Sequence, residues 1–136
     1  MFKYDRSQVE IGILHFGLGG FHRAHQAVFI DKALENGNLG MGIAAISQRD
    51  SSLADEMTAA DSIFQVEEND GISSELRNIG SIKESFFYPR DEARILEIAR
   101  SPELKAITIT VTEKAYKPGS DFSLRLAKVL NERYKS

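Results

Sequence analysis

Short apolar runs alternate with stretches of helical spacing along this chain. Apolar runs bounded by glycine or polar residues predict buried strands at residues 11–17, 42–47 and 106–112. Apolar residues spaced three and four apart predict helices over residues 21–35, 51–60, 91–100 and 121–134. Strands that alternate with helices require parallel crossovers, so we expect an α/β fold with a doubly wound, mainly parallel sheet.

Two segments in the middle of the chain alternate between apolar and polar residues instead. They are residues 63–67 and 75–79, and Asn69-Asp70-Gly71 lies between them. Period-two alternation on both sides of a turn sequence predicts a β-hairpin inserted at the edge of the sheet. Phe86-Phe87-Tyr88 predicts one further short strand.

Size and charge restrict the classes of protein that fit. A length of 136 residues, with 42% hydrophobic and 27% charged residues, predicts a single globular domain and not a two-domain enzyme. The 17 Lys and Arg residues are outnumbered by 20 Asp and Glu residues. This balance argues against nucleic acid as the main partner, because phosphate binding needs an excess of basic residues. The absence of cysteine excludes disulfides, thiolate metal sites and a cysteine nucleophile.

The sequence also bears on location. The first ten residues, MFKYDRSQVE, lack the apolar core of a secretory signal. No apolar run approaches the roughly 20 residues that a membrane span needs. We therefore expect a cytoplasmic domain that has no membrane partner.

A glycine-rich segment directly follows the first predicted strand and opens the first predicted helix. It consists of Gly17, Leu18, Gly19, Gly20, Phe21 and His22. A dinucleotide-binding fingerprint requires this context: Gly17 permits the tight turn, and Gly19 lets a pyrophosphate approach the backbone. The free N–H groups and dipole of the following helix then favour the anion. The third glycine of the fingerprint falls on His22, so a glycine-rich turn that binds nothing remains the alternative.

Ser47-Gln48-Arg49-Asp50 ends the second predicted strand. An acidic residue at this place commonly accepts hydrogen bonds from the adenosine ribose of NAD, and Asp50 is the candidate. Arg49 instead suits the 2′-phosphate of NADP. The alternative is a solvated loop in which Asp50 only caps the next helix.

Polar residues at the end of the 106–112 strand form a third candidate set. Ligands of open α/β sheets lie beyond the carboxyl ends of the strands, so Thr112 and Glu113 could line the nicotinamide end of a cofactor. They could equally be ordinary polar residues at a strand end. His22 and His25 are three residues apart, but no carboxylate completes a zinc-like spacing, and we expect no metal site.

The amino-acid sequences of these segments are more specific for one family than the spacing of their glycines. HFGLGGFHRAHQAVFIDKAL resembles the opening of the polyol-specific long-chain dehydrogenases, which include mannitol 2-dehydrogenase and fructuronate reductase. ELRNIGSIKE and RSPELKAITITVTEKAY resemble later blocks of that family, with Ala115 where glycine is usual. The resemblance covers roughly residues 10–116.

The resemblance implies an NAD(P)-dependent oxidoreductase with an N-terminal Rossmann-type domain. Such enzymes move hydride between the cofactor and a sugar alcohol or sugar acid, without a metal. The resemblance puts Gly17, Gly19, Gly20 and Phe21 on the cofactor loop. It puts Asp50 on the acidic position that selects NAD. Arg49 stands where a second acidic residue often occurs, which leaves NADP open. Thr112 and Glu113 fall beside the nicotinamide.

Nothing in the chain matches the family block that carries the catalytic lysine. We therefore expect a single dinucleotide-binding domain, over residues 1–136, that is inactive alone. The alternative is a non-catalytic module that binds a nucleotide or only a partner protein. A domain separated from its partner domain exposes apolar surface, so we also expect self-association. The sequence leaves open which polyol or hexuronate is used, whether NAD or NADP is preferred, and whether the chain is excised or naturally short.

Overall fold

Four parallel strands form the central sheet of the computed structural model, which describes residues 2–110 and 117–135. The described strands are β1 (Ile11–Phe16), β2 (Gly42–Ser47), β3 (Phe64–Asn69), β4 (Ser74–Ile79), β5 (Ile82–Phe87) and β6 (Ala106–Ile109). The central sheet has the order β5-β2-β1-β6, and β3 pairs with β4 in a separate antiparallel hairpin. The described helices are α1 (Gly20–Ala24), α2 (Gln26–Glu35), α3 (Ser51–Ala59), α4 (Tyr88–Arg100) and α5 (Asp121–Arg133). Arg6–Gln8 adds one 3-10 turn.

Helices cover both faces of the sheet. Alternate side chains of each strand point to opposite faces, so Leu14 and Phe16 pack with α4 and α5, whereas Ile13 packs with α2 and α3. Both faces are buried, which explains why the strands read as continuous apolar runs. The predicted doubly wound, mainly parallel α/β fold is confirmed. The predicted hairpin is present, but it forms a sheet of its own instead of adding to the edge of the central sheet. No helix within residues 2–110 and 117–135 is long and apolar enough to cross a membrane.

The prediction of one continuous helix over residues 21–35 is wrong. The backbone leaves the helical conformation at His25, with φ −123° and ψ −82°, and separates α1 from α2. The His25 ring Nδ1 lies 2.7 Å from the Phe21 carbonyl, while the His25 amide bonds to His22 instead. The side chain thus replaces the backbone at the carbonyl four residues back, which interrupts the helical ladder.

The predicted boundaries around residues 86–91 are also wrong. Strand β5 begins at Ile82, and Tyr88 belongs to α4 instead of the strand. Polar residues in the strand, such as Lys83 and Glu84, hid it from a search for apolar runs. Pro89 lies in the first turn of α4, where its missing N–H has no intrahelical partner to lose.

The hairpin is attached to the domain through Asp31 of α2, whose side chain is only 1% exposed. One oxygen, Oδ1, accepts from the Tyr4 hydroxyl at 2.6 Å and from the Gly80 amide at 3.0 Å. The other accepts from Arg77 of β4 at 2.9 Å. Burial and the hydrogen bond to Asp31 raise the pKa of the Tyr4 hydroxyl. Every partner of Asp31 donates a hydrogen bond, so these contacts require a side chain that accepts at both oxygens, as an ionised carboxylate does.

We expect Asp31→Asn to destabilise the fold by about 2 kcal/mol, because its NH₂ replaces one of the two oxygens that accept from buried donors. Arg77 keeps its ion pair with Glu35, so the substitution leaves no charge unpaired there. Urea unfolding monitored by circular dichroism measures the loss. Glu75→Gln on the exposed side of the same hairpin is the matched control and should change stability by less than about 0.5 kcal/mol. Equal stability of the two variants would contradict the role given to Asp31.

Candidate functional site

A cleft of about 740 Å³ opens at the carboxyl ends of β1 and β2, next to β6. Strand order reverses here, since β2 lies on one side of β1 and β6 on the other. Ligands of doubly wound sheets bind at such a reversal. The cleft brings together residues that the sequence singled out: Gly17, Leu18, Gly19, Gly20, Phe21, His22, Arg49 and Asp50. Thr112 and Glu113, predicted beside the nicotinamide, lie outside the described residues.

Gly17 turns the chain out of β1 against the end of β6. Its φ is +122°, and a Cβ built on it would lie 2.2 Å from the Thr110 carbonyl oxygen. The amides of Gly17 and Leu18 both donate to the Ile46 carbonyl of β2 at 2.9 Å. The loop is therefore fixed to its neighbours on both sides, and only glycine fits its first position.

Gly19 and Gly20 differ from Gly17 in what surrounds them. A Cβ on either would meet nothing within 4 Å, although both residues line the cleft. Gly19 has an extended backbone, with φ −140°, that other residues can adopt. Neither conformation nor internal packing therefore requires glycine at position 19. The missing side chain instead leaves room above the backbone for a ligand.

Asp50 both borders the cleft and caps α3. Its Oδ1 accepts from the Leu53 amide at 3.0 Å, and its own amide donates to Ser47 Oγ at 3.1 Å. Within the described part of the chain, Oδ2 accepts no hydrogen bond, and Asp50 is exposed. The capping interpretation therefore holds without removing the carboxylate from the reach of a ligand. Arg49 is exposed beside it.

The start of α5 forms a wall of the cleft that the sequence reasoning missed. Ser120, Asp121, Phe122 and Arg125 all line it. Phe122 packs edge-on against Phe16, while Arg125 donates to the carbonyl and side-chain oxygens of Gln48 at 3.1 Å. A helix that follows a parallel strand begins at the carboxyl edge of the sheet, so topology could have identified this wall.

Two histidines are stacked beneath the glycine loop. His15 and His22 are each 1% exposed, and their ring centroids lie 3.7 Å apart. Both His22 ring nitrogens are buried and have no hydrogen-bond partner among the residues that the structure describes. His22 is among the residues that line the cleft, but its ring is packed against His15 instead of being exposed to solvent.

Burial lowers the pKa of both imidazoles. The pKa of His15 falls to about 3, helped by the neighbouring His22, and that of His22 falls to about 4, helped by Arg23. Both rings are therefore neutral at pH 7. His25, by contrast, is exposed and stacks on Phe21. No cluster of three metal-ligating side chains occurs within residues 2–110 and 117–135.

A family model described as the mannitol dehydrogenase Rossmann domain matches residues 11–136. This chain belongs to that family. It is 33% identical over 120 residues to a mannitol 2-dehydrogenase of Pyricularia oryzae, covering 84% of this chain and 23% of that protein. It is 34% identical over 118 residues to the D-mannonate oxidoreductase of Escherichia coli K12, with 84% and 24% covered. The resemblance found in the sequence is confirmed.

Solved structures agree. Pseudomonas fluorescens mannitol 2-dehydrogenase, in a ternary complex with NAD and D-mannitol, matches 96% of this chain and 32% of its own chain, with a TM-score of 0.81 and 25% identity. A substrate-free D-sorbitol dehydrogenase matches 83% and 24%, with a TM-score of 0.75 and 29% identity. The chain thus spans about a quarter to a third of the length of these relatives.

We expect the stability of this domain to fall as pH drops from about 6.5 towards 4. Unfolded histidine takes up a proton near pH 6.5, whereas buried His22 resists protonation down to about pH 4. His22→Phe keeps a ring on His15 but removes one titration. The unfolding free energy of the variant should fall less steeply between pH 6 and 5, by about 1 kcal/mol per pH unit.

Urea unfolding of both proteins at pH 8, 7, 6 and 5 measures the two slopes. The range from pH 8 to 7 is the internal control, because both histidines are neutral there and the slopes should coincide. Equal slopes between pH 6 and 5 would show that His22 is protonated in the folded domain.

Proposed function

We propose that this chain is the nicotinamide-dinucleotide-binding part of a polyol or sugar-acid dehydrogenase. The observation that carries the proposal is the open glycine loop. Gly19 and Gly20 have free space above them, and they lie at the reversal of strand order in a domain of the mannitol dehydrogenase family. One related structure holds NAD and D-mannitol.

The backbone of the loop suits a pyrophosphate. The first amide of α1 that bonds back into the helix is that of Arg23, to the Gly19 carbonyl at 3.0 Å. The preceding N–H groups of this turn have no intrahelical acceptor and can serve an anion. Because the helix breaks at His25, these local N–H groups matter more than the dipole of one long helix.

A nicotinamide bound here would supply hydride transfer, and this chain would bind and orient it. Thr112 and Glu113 remain predicted contacts of its nicotinamide end. Since the chain spans about a quarter of the length of its curated relatives, we propose that it binds the dinucleotide without turning over a sugar alcohol or sugar acid. Self-association also remains a proposal. Large apolar side chains such as Phe29, 72% exposed, and Leu124, 61% exposed, would support it.

We expect Gly19→Val to weaken NADH binding at least about tenfold, because its branched carbons occupy the space where the pyrophosphate would lie. Fluorescence titration of the purified chain with NADH measures the affinity. Gly19→Ala is the graded control and should give an intermediate loss. Both variants should remain folded, since a Cβ at this position meets nothing within 4 Å. Unchanged affinity in a folded Gly19→Val protein would refute the loop assignment.

We propose that NADH binds more tightly than NADPH, with Asp50 accepting from the adenosine ribose hydroxyls, and that Arg49 retains some affinity for NADPH. Asp50→Asn keeps a good helix cap while removing the charge that repels a 2′-phosphate, so it should shift the preference about tenfold towards NADPH. Arg49→Gln should shift it about tenfold the other way. Parallel titrations with NADH and NADPH measure the ratio. An unchanged ratio in both variants would place the adenosine elsewhere.

A further inference from the structure

Four polar side chains form a hydrogen-bond network under the glycine loop, and the network ends on the loop itself. Thr108 Oγ1 lies 2.6 Å from His15 Nδ1, and Thr110 Oγ1 lies 2.7 Å from His15 Nε2. Thr110 Oγ1 also lies 3.3 Å from the Gly17 carbonyl oxygen, and Thr108 Oγ1 lies 3.4 Å from the side-chain oxygen Oε1 of Gln26. The network thus connects the first turn of α2 with the first glycine of the loop, through side chains of β1 and of the β6 segment.

Hydrogen counting restricts the direction of these bonds. A neutral imidazole carries one N–H, so Thr108 and Thr110 cannot both donate away from the His15 ring. The Gly17 carbonyl can only accept, whereas a turn of the Gln26 amide exchanges its oxygen for its NH₂. With that amide turned, Thr110 donates to Gly17 and accepts from His15 Nε2, and Nδ1 accepts from Thr108. All four hydrogen bonds are then made.

We propose that His15, held as the Nε2–H tautomer, is a positioning residue for the cofactor loop. By donating to Thr110 it directs the Thr110 hydroxyl onto the Gly17 carbonyl. That bond adds a third tie to the Gly17–Leu18 turn, beside the two amides that donate to Ile46. The ring of His22, stacked 3.7 Å from that of His15, hinders rotation of the ring out of this arrangement. The consequence for binding rests on the dinucleotide site proposed above.

Three substitutions of His15 separate positioning from packing. In His15→Gln the side-chain amide reaches about as far as Nε2 and can still donate to Thr110. In His15→Asn the amide reaches only the Nδ1 position, towards Thr108. His15→Leu fills the space and offers neither group. We expect NADH affinity to fall about tenfold in the Asn and Leu variants and by no more than about threefold in the Gln variant.

A loss of equal size in all three folded variants would reduce His15 to a packing residue. Unchanged affinity in all three would overturn its role in binding. Thr110→Val, which removes only the hydroxyl at nearly constant shape, should reproduce the loss seen in His15→Asn. Circular dichroism and urea unfolding establish that each variant is folded.

A measurement without cofactor tests the tautomer by itself. Proton–nitrogen correlation spectra of the His15 ring should show a protonated Nε2 and an unprotonated Nδ1 at pH 7. In the same spectra, the amide resonances of Gly17 and Leu18 should move further in His15→Asn than in His15→Gln. The proposal would be overturned by a protonated Nδ1, or by Gly17 and Leu18 amide resonances that do not move in these variants. Failure of the wild-type chain to bind NADH, with the expected tautomer present, would instead refute the proposed function and with it only the binding consequence.

Discussion

Gly17 packs so tightly against Thr110 at the end of β6 that no side chain fits between them, and the shape of the cleft depends on this contact. A side chain at position 17 would overlap the Thr110 carbonyl, and the backbone there lies in the left-handed half of conformational space. Glycine is therefore required by the protein itself, before any ligand is considered. The chain can then leave β1 at once, and the next two glycines come to lie over open space instead of over β6.

This constraint acts within a sheet whose topology determines the position of the cleft. β1 is flanked by β2 and β6, and the helices that follow these two strands, α3 and α5, pack on opposite faces of the sheet. A crevice forms at such a point of divergence. The wall formed by α5 follows from the same topology, and Phe122 joins that wall to the core by packing on Phe16. The rigid core and the cleft are thus parts of one arrangement.

The elements that local sequence patterns determine were predicted correctly, whereas features that depend on tertiary contacts were not. Strands β1 and β2 are buried on both faces and read directly as apolar runs, and Gly17 marked the turn between strand and helix. The break at His25 was not readable, because it depends on one ring nitrogen competing for the carbonyl of Phe21. The inward stacking of His22 was not readable either. A histidine in a first helical turn is ordinarily solvated, and only the buried neighbour His15 shows otherwise.

The histidine pair also links the stability of the domain to the site. In one of the two buried imidazoles, neither nitrogen has a partner in residues 2–110 or 117–135. Such a pair costs more than an apolar pair of the same shape, since an unsatisfied buried polar group costs about 1–3 kcal/mol. An apolar residue at position 15 would remove part of this cost, but it would also release Thr110 from its direction onto Gly17. The polar network beneath the glycine loop therefore gives up stability for a defined backbone orientation. The arrangement lowers the free energy of unfolding. It is favourable only for a loop that binds a ligand, because a loop that is already ordered loses less entropy on binding.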